Sequence, residues 1–376
     1  SSTIRKTGAG TIEVRESSPD FLGSWEIREG NIYFYGGAAP AGTGTAPIIL
    51  GDTTGSATGT NRLWVTSEQG SNDATAYNAP VETLRLAHDI QVTGTGQDRH
   101  IGTGSLPADG TRIHFDGNIE ILDNGANGQA LRLEYYGTEG INPTLTGHLQ
   151  HVFLHYNGDI SYSGSEAPGY IEAFMDAGSA NDDYDMFASF VLAGNNTGWD
   201  GELRISNNTG NDRDENTIVR LANNNALDAD NSVRMRYQST LQLGGHTVTI
   251  GGLITEVATG QPSGPNFNPL VSPTNEIFAN ATAIVENASD TAEGTLTIVQ
   301  ETDAEWRALF RDGAPPVLLD DPTLPARRLN LVKDGTGIAT LTVANSYTGS
   351  TTVIGGVLRA EDGIGLPAAS LLTLNG

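Results

Sequence analysis

Two short clusters of acidic residues are the first candidates for chemistry in this sequence. Each cluster places three carboxylates within four residues, and the two sets are Asp182, Asp183 and Asp185, and Asp212, Asp214 and Glu215. Both lie in segments predicted to be loops, where carboxylate oxygens are suitable ligands for Ca2+. Neither follows the calcium-binding nonapeptide pattern GGxGxDxUx, and acids that simply face solvent are the competing interpretation. We therefore expect Ca2+ as the candidate ion and no other cofactor.

Histidines and catalytic motifs point to no reaction. The stretch HLQHVFLHY contains His148, His151 and His155. Alternate side chains of a strand point to opposite faces, so His151 and His155 share a face and a metal site lacks a converging third ligand. The sequence contains no HExxH, GxSxG, P-loop or cysteine motif. We therefore predict no catalytic residues and no enzyme, although carboxylates on different coils could still form a glycosidase pair.

The composition favours many short strands joined by tight turns. Glycine accounts for 47 of 376 residues, above the usual share of about 7%. The formal net charge of −25 argues against nucleic-acid binding, because that function needs basic surface. No run of 18 apolar residues occurs, so no membrane span is predicted. No signal peptide is recognisable in the first ten residues, and any export signal is expected outside this sequence.

The pattern of apolar residues is that of short, half-buried strands. Alternating runs such as Glu202–Ile205, Ile218–Leu221 and Val248–Ile250 recur with Asn, Asp, Gly or Ser between them. Many short strands fit either a β-sandwich or barrel or a parallel β-helix. The shortness of the strands and a motif repeated at both ends favour the second. We therefore predict an all-β protein, a right-handed parallel β-helix (β-solenoid) with loop insertions and one short helix.

The domain organisation is predicted to be one continuous solenoid over 1–376. Residues 52–189 are expected to form less regular coils with loops. Residues 255–328 are expected to be an insertion with a short helix near 303–312.

That helix is predicted from the stretch ETDAEWRALFRDG. Asp303 could cap it, Trp306, Leu309 and Phe310 would share one face, and Gly313 would end it. The helix would either cover exposed core or offer a contact surface.

One motif occurs near both ends of the sequence. The alignment pairs Lys6, Gly8, Gly10 and Gly30 with Lys333, Gly335, Gly337 and Gly356. With Asn345 and Tyr347–Gly349, these residues resemble the patterns K-T-G-x-G-T-L-x-L and N-x-Y-T-G-x-T-x-x-x-G-x-L. These patterns are typical of the autotransporter-associated β-strand repeat, also called the passenger-associated transport repeat. A looser third copy lies near Asn196. The resemblance implies a right-handed β-helix exposed on, or released from, a bacterial surface.

Polar and aromatic residues of the repeat are expected to be structural. Asn345 and Asn196 are positioned to bond backbone groups within turns. Tyr347, Phe21 and Trp199 lie beside such turns, and we expect them to pack rather than to stack against sugars.

The function predicted from these features is structural or adhesive. We expect a bacterial cell-surface or extracellular β-solenoid, a segment of a longer protein that can assemble into a stalk, fibre or lattice. Expected partners are further copies of itself and surface glycans. The alternative is a polysaccharide-binding or polysaccharide-cleaving β-helix with a groove of acidic and aromatic residues. A phage tail fibre is a third interpretation, and it predicts a trimer. Because the motif stands at both ends, the solenoid is expected to continue beyond the final glycine.

Overall fold

The fold was analysed on a computed structural model of the chain. It describes residues 2–16, 18–36, 40–52, 54, 59–66, 83–104, 110–136, 148–176, 184–207, 215–236, 239–256, 283–313, 327–360 and 365–375. The described chain divides into two compact units. The first comprises Ser1–Gly201 and Asn208–Glu215, and the second comprises Glu202–Asn207 and Asn216–Gly376.

The first unit consists of short strands. These strands are β1 (Thr3–Lys6), β2 (Thr11–Val14), β3 (Ser24–Ile27), β4 (Gly30–Tyr35), β5 (Ile48–Leu50), β6 (Gly59–Thr66), β7 (Thr83–Leu86), β8 (Ile90–Val92), β9 (Gln97–Gly104), β10 (Arg112–Phe115), β11 (Ile119–Ile121), β12 (Gln129–Tyr136), β13 (His148–Tyr156), β14 (Ile160–Tyr162), β15 (Tyr170–Asp176) and β16 (Tyr184–Leu192). A three-residue 3-10 turn, Ala126–Gly128, lies between β11 and β12.

Successive strands of the first unit enter three different parallel sheets. The sheet orders are β1-β3-β5-β8-β11-β14, β2-β4-β6-β9-β12-β15 and β7-β10-β13-β16. The chain passes from β5 to β6 to β7, each in a different sheet, and then returns to the first sheet with β8. Each strand therefore lies beside the corresponding strand of the previous coil, at the usual spacing of about 4.8 Å. This arrangement is a parallel β-helix, as predicted from the sequence.

The core of the first unit is built from columns of like residues. In one column Ile32, Leu63, Ile101, Leu133 and Ala173 are paired across neighbouring strands, and all five are completely buried. Alternate residues of the same strands point outward. Each large apolar side chain in such a column stabilises the fold by roughly 1.5–3 kcal/mol relative to exposure.

The second unit repeats this plan. Its strands are β17 (Glu202–Asn207), β18 (Glu215–Leu221), β19 (Ser232–Met235), β20 (Ser239–Gln242), β21 (Thr247–Ile250), β22 (Gly252–Thr255), β23 (Ala283–Glu286), β24 (Gly294–Val299), β25 (Ala304–Trp306), β26 (Ala308–Arg311), β27 (Leu329–Asp334), β28 (Ile338–Leu341), β29 (Thr351–Val353), β30 (Val357–Ala360) and β31 (Leu372–Leu374). They form parallel sheets in the orders β17-β19-β22, β18-β20-β23-β26, β21-β24-β27-β29-β31 and β25-β28-β30.

The short helix predicted near 303–312 is wrong, because this segment forms the two strands β25 and β26. Trp306 and Phe310 are completely buried. The Asp303 carboxylate accepts a hydrogen bond from the Ile338 backbone N–H at 2.9 Å instead of capping a helix. In-register pairing of β25 with β28 and of β26 with β23 satisfies the backbone. Hydrogen bonding to neighbouring coils thus outweighs the local helical pattern, since helix propensity is a weak preference.

The predicted segments 52–189 and 255–328 stay a prediction. The described parts of 255–328 supply strands to the same sheets as their neighbours, while 257–282 and 314–326 lie outside the described residues. The described parts of 52–189 are coil strands as well. A single continuous solenoid over 1–376 stays a prediction.

Candidate functional site

Lys333 forms the centre of a compact turn in the second unit. Its side chain points inward from β27 and is completely buried. The ammonium group donates hydrogen bonds to the backbone carbonyls of Asp334 at 2.8 Å, Gly335 at 2.6 Å and Gly355 at 3.0 Å. Burial lowers the pKa of Lys333, and the nearby carboxylates of Asp334 and Glu301 partly oppose that shift. The lysine thus donates hydrogen bonds to backbone carbonyls of two successive coils.

The same turn occurs at Lys6 in the first unit. Lys6 is 6% exposed, and its ammonium group contacts the carbonyls of Thr7, Gly8 and Glu29. These two lysines are the only ones in the sequence. The sequence therefore retains lysine only where a buried ammonium can bond several carbonyls.

Glycine is required at one position of each turn. Gly30 has φ +82° and Gly356 has φ +63°. A Cβ on Gly30 would lie 2.7 Å from the Lys6 ammonium, and a Cβ on Gly356 would lie 2.7 Å from that of Lys333. In both turns the added atom would also lie 2.5 Å from two backbone carbonyl oxygens. The turns at Lys6 and Lys333 therefore have the same structure, which confirms the alignment of Lys6 and Gly30 with Lys333 and Gly356.

The two asparagines named from the sequence bond backbone groups as predicted, but these groups belong to neighbouring coils and not to the same turn. The Asn345 side chain accepts a hydrogen bond from the Phe310 N–H at 2.8 Å and donates one to the Gly365 carbonyl at 2.7 Å. The Asn196 side chain accepts one from the Ile160 N–H at 2.8 Å. Each asparagine therefore joins a turn to a neighbouring coil.

The aromatic residues of the repeat turns pack, also as predicted. Tyr347 is completely buried and Trp199 is 2% exposed. The Tyr347 hydroxyl lies 2.6 Å from that of Thr351. Phe21 is half-buried against Trp25, with ring centroids 5.4 Å apart. None of these three aromatic residues is presented on an open surface for a ligand.

A row of aromatic side chains lies on the outer face of the β2-β4-β6-β9-β12-β15 sheet. The rings of Tyr33 and Trp64 are stacked at 4.7 Å, and those of Trp64 and Tyr136 at 5.7 Å. Trp64 can reach across the intervening strand because Gly102 and Gly104 have no side chains. A Cβ on Gly104 would lie 2.0 Å from the Trp64 ring.

A buried carboxylate lies beside this aromatic row. One oxygen of Glu134 is 2.9 Å from His100 Nδ1 and 3.2 Å from Arg62 Nε. The Arg62 guanidinium also lies over the Trp64 ring, 5.4 Å from its centroid. Burial alone raises the pKa of Glu134, but His100, Arg62 and Arg132 together hold it below its usual range. Glu134 is therefore ionised at neutral pH.

A second ion pair extends the charged groups by one coil. Arg132 contacts Glu172 at 2.8 Å and lies over the Phe174 ring, 4.3 Å from its centroid. We call the group formed by these outward side chains the aromatic–charged surface. Its members are Tyr33, Arg62, Trp64, His100, Arg132, Glu134, Tyr136, Glu172 and Phe174.

The acidic residues named from the sequence lie at the limits of what the structure describes. Asp182, Asp183, Asp212 and Asp214 are outside the described residues. Asp185 is in β16 and Glu215 begins β18, and only the backbone of these two is described. Across the part of the chain that the structure describes, no three His, Cys, Asp or Glu side chains are grouped to hold a metal ion.

The histidines of β13 do not converge on one point. The His151 ring lies 2.7 Å from the Ser189 hydroxyl. The His155 ring is stacked on His114, with centroids 4.4 Å apart. For His148 the structure describes the backbone alone. Within the described ranges, no helix has the length and apolar character needed to cross a membrane.

Stacked parallel coils with buried lysine turns define the chain as a parallel β-helix protein. Residues 331–360 match the family model of the passenger-associated-transport-repeat. The match includes Lys333, Gly335 and Gly356, so the family resemblance is confirmed for this segment. This repeat indicates a surface-exposed β-helical passenger domain. Searches of curated proteins and of solved structures found no match.

The aromatic–charged surface was missed by sequence reasoning. Its members lie at outward positions of their strands, which an alternating pattern does reveal. However, Arg62 and Glu134 are 72 residues apart, and the sequence does not state which strands become neighbours. The lack of side chains at Gly102 and Gly104 beside an outward Trp64 was the available signal.

Proposed function

We propose that this chain is a structural and adhesive segment of a bacterial surface or extracellular protein, without catalytic activity. The observation that carries the proposal is the passenger-associated-transport-repeat at residues 331–360 within stacked parallel coils. The Lys6 turn lies outside that match and has the same contacts, which supports repeat architecture at two places in the chain.

The physical properties of the fold support a scaffold. Each coil satisfies its backbone groups through its neighbours and buries a column of apolar residues, so the outer faces can vary without loss of the core. The net charge of −25 favours a soluble, mutually repelling surface. Such a scaffold displays side chains at fixed spacing to a partner.

Surface location is tested in the producing bacterium. Antibodies against the purified chain should label intact cells, and external protease should remove that label without permeabilisation. Labelling only after permeabilisation contradicts an extracellular role. As a control, an antibody against a cytoplasmic protein should label permeabilised cells alone.

Self-association into a fibre or lattice is the second part of the proposal. Parallel coils carry unpaired strand edges wherever no neighbouring coil covers them. Sedimentation and electron microscopy over a range of concentrations should reveal ordered oligomers. Strictly monomeric particles at high concentration, with and without added Ca2+, would contradict self-association.

Binding of Ca2+ by the acidic clusters is proposed as a modulator of that assembly. The proposed ligands are Asp182, Asp183, Asp185, Asp212, Asp214 and Glu215. Calorimetric titration with CaCl2 should give saturable heat, and a variant with all four Asp of 182–183 and 212–214 changed to Asn should lose it. A variant with Asp20 and Asp303 changed to Asn serves as a charge control. Equal binding by both variants contradicts these ligands.

The aromatic–charged surface favours polysaccharide binding over polysaccharide cleavage. A general acid at a glycosidic bond needs a raised pKa. Glu134 is held below its usual pKa by His100 and Arg62, so it supplies a charged hydrogen-bond acceptor instead. Reducing-end assays on bound polysaccharide should therefore detect no cleavage.

A further inference from the structure

The aromatic–charged surface has features that the fold itself does not require. The core of the solenoid lies inside the coils, whereas Tyr33, Trp64 and Tyr136 stack on the outside. Trp64 is only 5% exposed, while Tyr33 and Tyr136 are half-buried. The lack of a side chain at Gly104 leaves the indole room to lie between the two tyrosines. The exposed parts of the two half-buried tyrosine rings, held in place by the buried indole, form a shallow apolar platform.

One polar atom of this platform, the buried Trp64 indole N–H, has no hydrogen-bond partner among the residues that the structure describes. An unsatisfied buried donor costs about 1–3 kcal/mol, so packing alone does not explain a tryptophan at this place. The six-membered ring of Trp64 lies over Gly104, so the indole nitrogen faces away from Gly104.

The charges around the platform are of both signs. Arg62 lies beside Glu134, and Arg132 lies beside Glu172, while Glu13 and Asp176 are paired in register with Tyr33 and Tyr136. Carboxylates at both ends of the aromatic row, like the net charge of −25 for the whole chain, repel polyanions. Guanidinium and carboxylate groups together provide both donors and acceptors for hydroxyl groups. The chemistry fits a ligand that is rich in hydroxyl groups and carries no charge.

We propose that the aromatic–charged surface binds a neutral polysaccharide, an inference that rests on the adhesive part of the proposed function. The C–H faces of sugar rings pack on the exposed parts of Tyr33 and Tyr136, and the hydroxyls bond the partly exposed guanidinium groups of Arg62 and Arg132. Coils separated by about 4.8 Å repeat these groups along the stacking direction. The surface therefore follows an extended chain of sugars across several coils.

The test uses the full chain and a panel of soluble polysaccharides. The neutral probes are laminarin, xyloglucan and mannan, and the anionic probe is alginate. Affinity electrophoresis, followed by calorimetry on any binder, should show retardation by at least one neutral probe and none by alginate. Failure of all neutral probes, or equal binding of alginate, overturns the proposal.

Matched variants locate the site. Tyr33→Ala and Tyr136→Ala should each weaken binding about tenfold, because each removes one stacked ring. Tyr33→Phe keeps the ring and should stay within about twofold of the parent. Phe153→Ala removes a half-buried outward ring from β13, which also lies under an arginine, and should leave binding unchanged. Equal losses in Phe153→Ala and Tyr33→Ala overturn the assignment.

Fluorescence gives a readout that does not depend on the tyrosine variants folding. Subtracting the emission spectrum of Trp64→Phe from that of the parent chain gives the contribution of Trp64 alone, although the chain contains four tryptophans. A bound neutral polysaccharide should shift that difference spectrum and reduce its quenching by acrylamide. Binding without either change overturns the involvement of Trp64. If the chain is labelled at the cell surface but binds no polysaccharide, only this site is refuted. If the chain binds polysaccharide but is confined to the cytoplasm, only the proposed function is refuted.

Discussion

Replacing Lys333 with methionine tests the main physical claim about the repeat turn. Lys333→Met keeps a similar length and removes the charge and the donors. The ammonium currently bonds the carbonyls of Asp334, Gly335 and Gly355 at 3.0 Å or less. The substitution removes the bonds to the Gly335 and Gly355 carbonyls, whereas the Asp334 carbonyl still accepts a hydrogen bond from the Gln300 N–H at 2.9 Å.

The size of the effect follows from those contacts. Each buried carbonyl left without a partner costs about 1–3 kcal/mol. Burial of the methionine side chain offsets part of this loss, by roughly 1.5–3 kcal/mol. For the two carbonyls that lose their donor, we expect a net local destabilisation of about 1–3 kcal/mol. Lys6→Met should have a similar effect in the first unit, because Lys6 bonds equivalent carbonyls.

Amide hydrogen exchange is the suitable assay, because each coil contributes to the stability of the solenoid locally. The midpoint of a global unfolding curve would average over all coils. The Ile354 N–H bonds the Lys333 carbonyl at 2.8 Å, and the Gly337 N–H bonds the Gln300 carbonyl at 2.9 Å. Both amides should exchange about ten- to a hundredfold faster in Lys333→Met, since 1.4 kcal/mol corresponds to tenfold.

The control for this experiment is Arg359→Met. Arg359 is an exposed cation on β30, in the same repeat, and its loss should leave exchange at Ile354 unchanged. Parent-like exchange in Lys333→Met, or equal acceleration in both variants, would refute the role assigned to the buried ammonium group.

Three further predictions concern other parts of the fold. Gly30→Ala should destabilise the first unit by about 1–3 kcal/mol more than Gly8→Ala. Both glycines have positive φ, but only a Cβ on Gly30 meets backbone oxygens, and urea titrations of the two variants would test the difference. Trp306→Ala should lower the free energy of unfolding by about 3–5 kcal/mol, and Glu305→Ala should lower it by less than about 0.5 kcal/mol. The reason is that Trp306 is buried and Glu305 is exposed in β25. Equal losses of stability in thermal melts of the two variants would contradict the strand. Because the pKa of Glu134 is lowered in the folded state, its stabilising contribution is present above its ordinary value and is lost as pH falls. Below about pH 4.5, the stability of the parent should therefore fall by more than the stability of Glu134→Gln. Parallel curves of stability against pH for the two proteins would refute this.

The repeat turn is the part of the protein that local sequence determines best. A lysine followed by glycines at fixed spacing can satisfy carbonyls within a few residues, and Gly30 or Gly356 supplies the positive φ that the turn requires. The motif therefore predicted that the turns at Lys6 and Lys333 correspond, and the alternation of apolar residues predicted short strands. The contacts of the two ammonium groups were not predicted, because the carbonyls of Glu29 and Gly355 come from the next coil.

The helix predicted near 303–312 failed for the opposite reason. Its residues fit a helical face as well as they fit two strands, and the sequence of the segment does not distinguish the two. Pairing with β23 and β28 decides the matter, and these partners are distant in sequence. In a parallel β-helix, hydrogen bonds come from the next coil, so local propensity has little weight.

The aromatic–charged surface depends on tertiary structure in the same way. The sequence determined that Trp64 and Glu134 occupy outward positions of strands, because alternation reveals the face. Only the register of stacked coils placed Arg62 against Glu134 and Trp64 between Tyr33 and Tyr136. Coil lengths vary with the turns between strands, so the residues that meet across a sheet are set by three-dimensional pairing and not by spacing along the chain.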